Sequence, residues 1–170
     1  MGRRGDKVSL QRWVLASYLE DICSVANVRL QAMSSGRYTL RVHRERALRN
    51  AKSGLDLRVH DAFTGEEREV QSLSGGETFQ ASLALALAVA ETVQAHAGGI
   101  RLDALFVDEG FGSLDADALD LAMDELDTLR AGGRMIGVIS HVGGLRERIR
   151  VGIEVTTGTR GSSLRVGELT

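Results

Sequence analysis

The feature that most constrains the fold is a pair of short apolar segments with a helical pattern between them. The segments span residues 102–107 and 135–139, and their apolar residues follow one another without the alternation of a half-buried strand. Between them, a stripe of apolar residues over 119–129 has the spacing of a helix. Apolar strands joined by a helix are typical of a parallel sheet covered on both faces. The sequence therefore predicts an α/β fold.

The other segments predict a long first helix followed by shorter elements. Residues 9–33 carry apolar side chains at helical spacing, and the Ser-Ser-Gly sequence at 34–36 ends that helix. Residues 44–52 form a polar connection rich in arginine. The remaining predicted elements are strands at 38–42, 55–60 and 66–70, a helix at 78–95 that is apolar on nearly every face and hence buried, a short helix at 145–149 and a terminal hairpin that turns near 158–161.

Two carboxylates, Asp108 and Glu109, come directly after the first apolar strand. Open parallel sheets bind their ligands at the carboxyl ends of the strands. In nucleotide hydrolysis the first acid can hold Mg²⁺ and the second can orient or polarise the attacking water. An Asp-Glu pair after a strand is more often the start of a solvated loop, so this pair alone does not decide the function.

A histidine, His141, follows the second apolar strand. A lone histidine is usually a polar residue with a local hydrogen-bond partner. If the two apolar strands are neighbours, however, His141 lies at the same sheet edge as Asp108 and Glu109. A neutral imidazole at that edge could sense a bound γ-phosphate and help to place the water.

The sequence Leu-Ser-Gly-Gly-Glu at residues 73–77 precedes the apolar helix. Gly75 and Gly76 would let the backbone approach a ligand closely, and the free N–H groups of a helix start attract phosphate. Ser74 and Glu77 also have the spacing of a capping box, which is a purely structural device. The two interpretations are compatible, because a capped helix start is still an anion site.

A short loop, Gly-Ser-Leu-Asp at residues 112–115, follows the carboxylate pair. Asp115 or Ser113 is a suitable N-cap for the acidic helix after it, and this structural role needs no ligand.

The order of these motifs resembles the second half of an ABC-type ATPase. The stretches at 105–115 and 136–142 are most similar to the C-terminal ATPase segment of the SbcC family, the SMC-like subunits of a bacterial DNA-repair nuclease. ABC transporters usually have Pro after the acidic pair, whereas Gly110 stands there in this chain, which contains no Pro. The resemblance implies the C-terminal half of an ABC/SMC-type P-loop ATPase head, with a parallel sheet, flanking helices and antiparallel hairpins. Residues 1–36 would be the foot of a coiled-coil arm and residues 37–170 the C-terminal lobe of the head.

The resemblance also implies roles for individual residues. Asp108 would bind Mg²⁺, Glu109 would act on the hydrolytic water, and His141 would be the switch histidine. The residues implied to contact ATP held by a second head are Ser74, Gly75, Gly76 and Glu77, and those implied to form the loop that communicates across the dimer are Ser113, Leu114 and Asp115. ATP and Mg²⁺ would be the cofactors, and hydrolysis would control access of DNA ends to a partner nuclease.

The phosphate-binding loop of such ATPases is missing from the sequence. That loop needs Gly-x-x-x-x-Gly-Lys-Ser/Thr, and the two lysines, Lys7 and Lys52, follow Asp and Ala. The family places this loop at the far N-terminus, before the coiled coil. We therefore expect the chain to be a C-terminal piece that needs the N-terminal Walker A half, and that alone binds ATP weakly without turning it over.

Two alternatives remain open, one suggested by the charge distribution and one by the resemblance. The first 58 residues contain 12 Lys and Arg against 5 Asp and Glu, whereas the remainder is acidic. The basic first 58 residues could bind nucleic acid, or they could simply form a solvated surface. The charge distribution therefore leaves open a non-catalytic fragment that dimerises or binds DNA. The resemblance leaves open the ATPase head of another ABC or SMC protein, either a transporter or a chromosome clamp.

Composition also suggests a cellular location. The single cysteine, Cys23, excludes an internal disulfide framework and a Cys-based zinc site. The longest nearly apolar run, at 79–90, is far shorter than the roughly 20 residues of a membrane span. We expect a cytoplasmic protein that is not associated with a membrane, and the resemblance implies a bacterial protein associated with the nucleoid.

Overall fold

The computed structural model of the protein describes residues 10–44, 55–96, 102–159 and 161–169. The elements in chain order are α1 (Leu10–Met33), β1 (Tyr38–Arg44), β2 (Leu55–Asp61), β3 (Glu66–Glu69), α2 (Gly75–His96), β4 (Ala104–Asp108), α3 (Ala116–Ala131), β5 (Met135–Ile139), α4 (Gly143–Arg148), β6 (Val151–Gly158) and β7 (Gly161–Glu168). Two short 3₁₀ turns, Val70–Ser72 and Phe111–Ser113, precede α2 and α3.

The strands of the described residues form three small sheets. β1, β2 and β3 form an antiparallel sheet, β4 and β5 form a parallel pair, and β6 and β7 form an antiparallel hairpin. The predicted α/β class, with a parallel sheet and antiparallel hairpins, is confirmed. Most of the predicted 44–52 connection lies outside the described residues, as does residue 9 at the start of the first predicted helix.

The core lies where α1, α2 and α3 meet. Leu30 and Met33 of α1 are fully buried with Leu87 of α2 and Leu126 of α3 in one apolar cluster. Phe111, in the turn after β4, is buried in the same cluster and is the largest fully buried side chain among the residues that the structure describes. Burial of this kind contributes about 25 cal/mol for each Å² of apolar surface removed from water. The core thus holds the helices and the turn after β4 as one unit.

The predicted burial of α2 on nearly every face is wrong. Its buried residues, which include Ala84, Leu87 and Ala88, lie on one side, whereas Val89 and Val93 are exposed. The described residues pack against one side of the helix only, and α1 is its main partner. The helix also begins at Gly75, three residues before the predicted start.

The prediction of a sheet covered on both faces is also wrong for the part of the chain that the structure describes. Leu105 and Val107 pack against the core, whereas Phe106, which points to the other face, is 65% exposed. Met135 and Ile139 of β5 are 61% and 52% exposed on that same outer face. One layer of helices covers one face of the parallel pair, and nothing within residues 10–44, 55–96, 102–159 and 161–169 covers the other.

No helix within the described ranges combines the length and the hydropathy that a membrane crossing requires.

An ion pair anchors the loop between β2 and β3. Asp61 is 1% exposed and accepts hydrogen bonds from Nε and Nη2 of Arg37 at 3.1 and 2.9 Å. The backbone N–H of Phe63 donates to the same carboxylate at 3.0 Å. The Arg37 guanidinium, helped by that N–H, lowers the pKa of Asp61 to about 2. The charged form of Asp61 therefore stabilises the folded state.

We expect Asp61→Asn to lose stability in a pH-dependent way. Because the pKa of Asp61 is 3.8 when unperturbed and about 2 when folded, its contribution is complete above pH 4 and is lost as the pH falls toward 2. The difference in unfolding free energy between wild type and Asp61→Asn, measured in urea at pH 5 and at pH 3, should therefore shrink at the lower pH. Arg37→Met removes the group that lowers this pKa, so it should lose stability at pH 5 and show a weaker loss between pH 5 and pH 3 than the wild type; an unchanged pH dependence would contradict the assignment.

Candidate active site

The carboxylate pair and the histidine meet at one edge of the parallel sheet. In the register of β4 and β5, Asp108 lies opposite Ile139, so both strands end at the same level. Nδ1 of His141 lies 3.0 Å from Oε2 of Glu109, and both side chains are largely exposed. The strands are therefore neighbours, and Glu109 and His141 form one constellation at the carboxyl ends of the strands.

The backbone of the carboxylate turn has an unusual conformation. Glu109 has φ = 59° and Gly110 has φ = 96°. The left-handed region costs a residue with a Cβ roughly 1–2 kcal/mol, and such residues cluster at functional sites because the surroundings must hold them there. One contact that stabilises this backbone conformation is the hydrogen bond from the N–H of Glu109 to the carbonyl of Ile139, at 2.9 Å.

The start of α2 is a reciprocal capping box. The N–H of Ser74 donates to Oε2 of Glu77 at 2.8 Å, and the N–H of Glu77 donates to Oγ of Ser74 at 3.3 Å. The capping interpretation is therefore confirmed. The first N–H groups of a helix have no partner within the helix, so a capped start still offers donors near Gly75 and Gly76.

A tyrosine completes the hydrogen bonding of Glu77. The hydroxyl of buried Tyr38 donates to Oε1 of Glu77. Burial and this bond to a carboxylate raise the pKa of Tyr38 to about 12. Burial alone would raise the pKa of Glu77, but hydrogen bonds from Tyr38 and Ser74 outweigh it and lower that pKa. Sequence reasoning missed Tyr38, and its inward position on alternating β1 is the signal that could have identified it.

The glycine pair packs directly against the loop that follows the carboxylate turn. A Cβ on Gly76 would lie 2.8 Å from the carbonyl oxygen of Ser113, and one on Gly75 would lie 3.3 Å from Cβ of Ser113. Ser113 in turn donates from Oγ to the carbonyl of Gly110 at 2.7 Å. The predicted phosphate-binding residues of α2 and the carboxylate turn are thus joined through Ser113.

The end of that loop is the N-cap of α3. The N–H of Ala118 donates to Oδ1 of Asp115 at 2.8 Å, which confirms the structural role of Asp115. A cavity of about 360 Å³ opens beside it, and its lining includes Ser74, Gly76 and Glu77. Ser113 and Leu114 line it as well. The start of α2 and the loop before α3 therefore share one concave surface.

The donor set at the sheet edge fits Mg²⁺ bound together with a nucleotide. Asp108 is exposed at the end of β4, next to Glu109. No group of three His, Cys, Asp or Glu side chains suited to a metal occurs in the described parts of the chain. Mg²⁺ is commonly bound through one or two carboxylates with waters and substrate phosphates, without a full protein cage. Asp108 is therefore a suitable single ligand.

Comparison with known proteins agrees with this site. Residues 48–128 match the family described as "SbcC/RAD50-like, Walker B motif". The SbcC subunit of the nuclease SbcCD of Vibrio cholerae is 53% identical over 165 residues, which cover 97% of this chain and 16% of that protein. The SbcC subunit of the same nuclease in Treponema pallidum is 49% identical over 162 residues, which cover 95% of this chain and 16% of that protein.

Solved structures give the same fold at much lower sequence identity. One solved structure comes from a study of the ATP-driven dimerization and DNA-stimulated activation of SMC ATPases. It matches this chain with a TM-score of 0.65 and 19% sequence identity, and the match covers 90% of this chain and 87% of that chain. A second solved structure is the Smc head domain with an extended coiled coil, bound to the C-terminal domain of ScpA, from Pyrococcus furiosus. It matches with a TM-score of 0.64 and 19% sequence identity, and the match covers 91% of this chain and 36% of that chain. The fold is that of SMC ATPase heads.

The resemblance to the SbcC family that the motif order predicted is confirmed. The chain spans about a sixth of the length of the curated relatives, since it covers 16% of each of the two above. With 53% and 49% identity over nearly the whole chain, and with Asp108 and Glu109 inside the matched segment, the chain matches the SbcC/RAD50-like family in the region of its Walker B motif.

Proposed function

We propose that this chain supplies the hydrolytic and signature residues of an SbcC-like ATPase head. In this proposal ATP is bound between two heads and its hydrolysis controls the processing of DNA double-strand breaks and hairpin ends by an SbcD-like nuclease partner. The observation that carries the proposal is the contact between Glu109 and His141 at the end of two parallel strands. A water positioned at that edge would meet a carboxylate oriented by an imidazole.

The chemistry follows from the two side chains. Glu109 orients the attacking water and accepts its proton as the water oxygen bonds to the γ-phosphorus, while the bond from that phosphorus to the β–γ bridging oxygen breaks and ADP leaves. His141, when its Nδ1 carries the proton, donates to Glu109 and fixes the direction of the carboxylate. Mg²⁺, held by Asp108 and phosphate oxygens, would offset the negative charge that develops during transfer.

The signature residues act on the nucleotide of a second head. Gly75 and Gly76 begin a 22-residue helix, and its dipole favours a phosphate at that end. The Ser74–Glu77 capping box keeps the first turn in shape, and the shared concave surface with Ser113 and Asp115 supports one joint interface. We infer that this surface faces the second head, which is a copy of the same protein.

A further segment completes the nucleotide site. The sequence has no phosphate loop, and the outer face of β4 and β5 exposes Phe106, Met135 and Ile139. The hairpin of β6 and β7 adds a contiguous exposed apolar face, formed by Val151, Ile153, Val155, Leu164 and Val166. Exposed apolar surface of this extent is typical of a protein interface. We infer that the Walker A half covers these faces, and the two together are called the completed head below.

The first helix is the foot of the coiled-coil arm in this proposal. α1 is 24 residues long and exposes Trp13, Tyr18 and Val28. Exposed aromatic side chains are frequent in protein interfaces, so we infer that the partner nuclease docks near this foot, within residues 1–36. The assembly would act in the cytoplasm on nucleoid DNA.

We expect Ser74→Arg to abolish ATP-dependent dimerisation of the completed head. The added cationic side chain would occupy the place of the γ-phosphate contact and block the approach of the second head. Light scattering coupled to size exclusion, with and without ATP, measures the result.

Two control variants isolate this effect. Ser74→Ala removes the hydroxyl, and with it both the helix cap, which costs about 1 kcal/mol, and the phosphate contact, but it adds neither charge nor bulk and should weaken dimerisation far less than Ser74→Arg. Ser72→Arg adds the same charge two residues earlier and should dimerise like the wild type. Dimerisation that is independent of ATP, or that survives Ser74→Arg, would contradict the proposed interface and favour a non-catalytic dimerisation fragment.

A further inference from the structure

An aromatic ring on α2 lies directly against the carboxylate turn. A Cβ built on Gly110 would overlap the ring of Phe79, which therefore occupies the space beside this glycine. The same ring makes an edge contact with Phe111, with a centroid distance of 4.9 Å and an interplanar angle of 61°. Phe79 comes three residues after Gly76, so the first turns of α2 contact both sides of the 110–113 segment.

The turn needs such a contact because its conformation is unfavourable by itself. Glu109 and Gly110 both have positive φ, at 59° and 96°. On one side the N–H of Glu109 is fixed to Ile139, and Ser113 donates to the carbonyl of Gly110. On the other side the Phe79 ring fills the space beside Gly110. Residues in rare conformations persist only where their surroundings over-determine them.

We infer that Phe79 is a positioning residue for Glu109, so that the signature helix of a head sets the direction of the carboxylate of the same head. The inference rests on the proposed function, since the carboxylate acts on water only in that reaction. Phe79 lies against the backbone of the turn, and its effect on chemistry passes through Gly110 to Glu109. A shift of about 1 Å in a catalytic group is enough to slow a reaction by two orders of magnitude.

The expected consequence is a loss of turnover without a loss of nucleotide binding. In the completed head, Phe79→Leu should lower kcat by about tenfold while KM for ATP stays within about twofold. Amide hydrogen exchange at residues 108–112 should become faster, because the turn loses part of the side chain that packs against it. Leu87→Ala is the control, since it removes a buried side chain from the same helix eight residues away. It should lower Tm but leave kcat unchanged, and it should speed exchange at 108–112 no more than exchange in the rest of the core.

A double variant separates positioning from a general loss of structure. If Phe79 acts through Glu109, adding Phe79→Leu to Glu109→Gln should reduce single-turnover hydrolysis by less than twofold, because the carboxylate that Phe79 positions is already absent. Phe79→Met, a gentler change, provides the same comparison if Phe79→Leu does not fold. Equal fold losses in both backgrounds, or an unchanged kcat with unchanged exchange, would overturn the inference while leaving the proposed function intact. Unchanged hydrolysis in Glu109→Gln alone would overturn both.

Discussion

Replacement of Glu109 by Gln is expected to lower ATP turnover by the completed head by two to three orders of magnitude, about the contribution of a positioned general base. Gln keeps the shape of the side chain but cannot take a proton from water. Its amide can still lie near His141, since the two side chains meet at an exposed sheet edge. ATP-dependent dimerisation, measured by light scattering, should persist because the signature residues are unchanged.

The control for this variant removes a different carboxylate, at the other end of β4. Asp103 is exposed just before β4, at the end opposite to Asp108. Asp103→Asn removes the same charge and should leave kcat within about twofold of the wild type. A Glu109→Gln variant that hydrolyses ATP at the wild-type rate would show that the sheet edge does not carry the chemistry.

Addition of the Walker A half is expected to raise ATP turnover from background to at least a hundredfold above it. The 170-residue chain lacks the loop whose amides and lysine compensate the triphosphate charge, so by itself it should show no turnover. Phosphate release measures the activity. The same addition should slow amide exchange around Phe106 and Met135, because the uncovered face of β4 and β5 becomes an interior.

The control for complementation is a Walker A half whose phosphate-loop lysine is replaced by Ala. It should still slow exchange on the outer face of β4 and β5 but should restore no turnover, which separates packing from phosphate binding. Stoichiometric hydrolysis by the 170-residue chain alone, abolished by Glu109→Gln, would contradict the expectation. The site would then be complete within this polypeptide.

The sequence was sufficient to predict the parts of the fold that local patterns encode. β5 has the predicted bounds, and β4 is displaced by two residues at its start and one at its end. The capping box and the N-cap of α3 depend on contacts between residues three positions apart, so the sequence spacing alone predicts them. Recognition of the site required the order of several motifs, because a carboxylate pair or a histidine alone has too many ordinary explanations.

The features that sequence reasoning missed depend on contacts between distant segments. Tyr38 reaches Glu77 across 39 positions, and the Phe79 ring meets Gly110 across the core. No periodicity encodes such pairs. Burial was mispredicted for a related reason: apolar residues on the outer side of α2 and of β4 need a cover, and the pattern cannot say whether the same chain provides it.

The packing of Gly76 against the carbonyl of Ser113, which a Cβ at position 76 would approach to 2.8 Å, changes how genetic defects at the glycine pair should be understood. Any larger side chain at position 76 would push on the segment that leads back to Glu109, so one substitution would damage two motifs of the same polypeptide at once. In the proposed dimer of heads, a single altered copy would then impair both nucleotide sites, one through its signature and the other through its hydrolytic turn. A dominant phenotype from such an allele would therefore not require an unfolded protein.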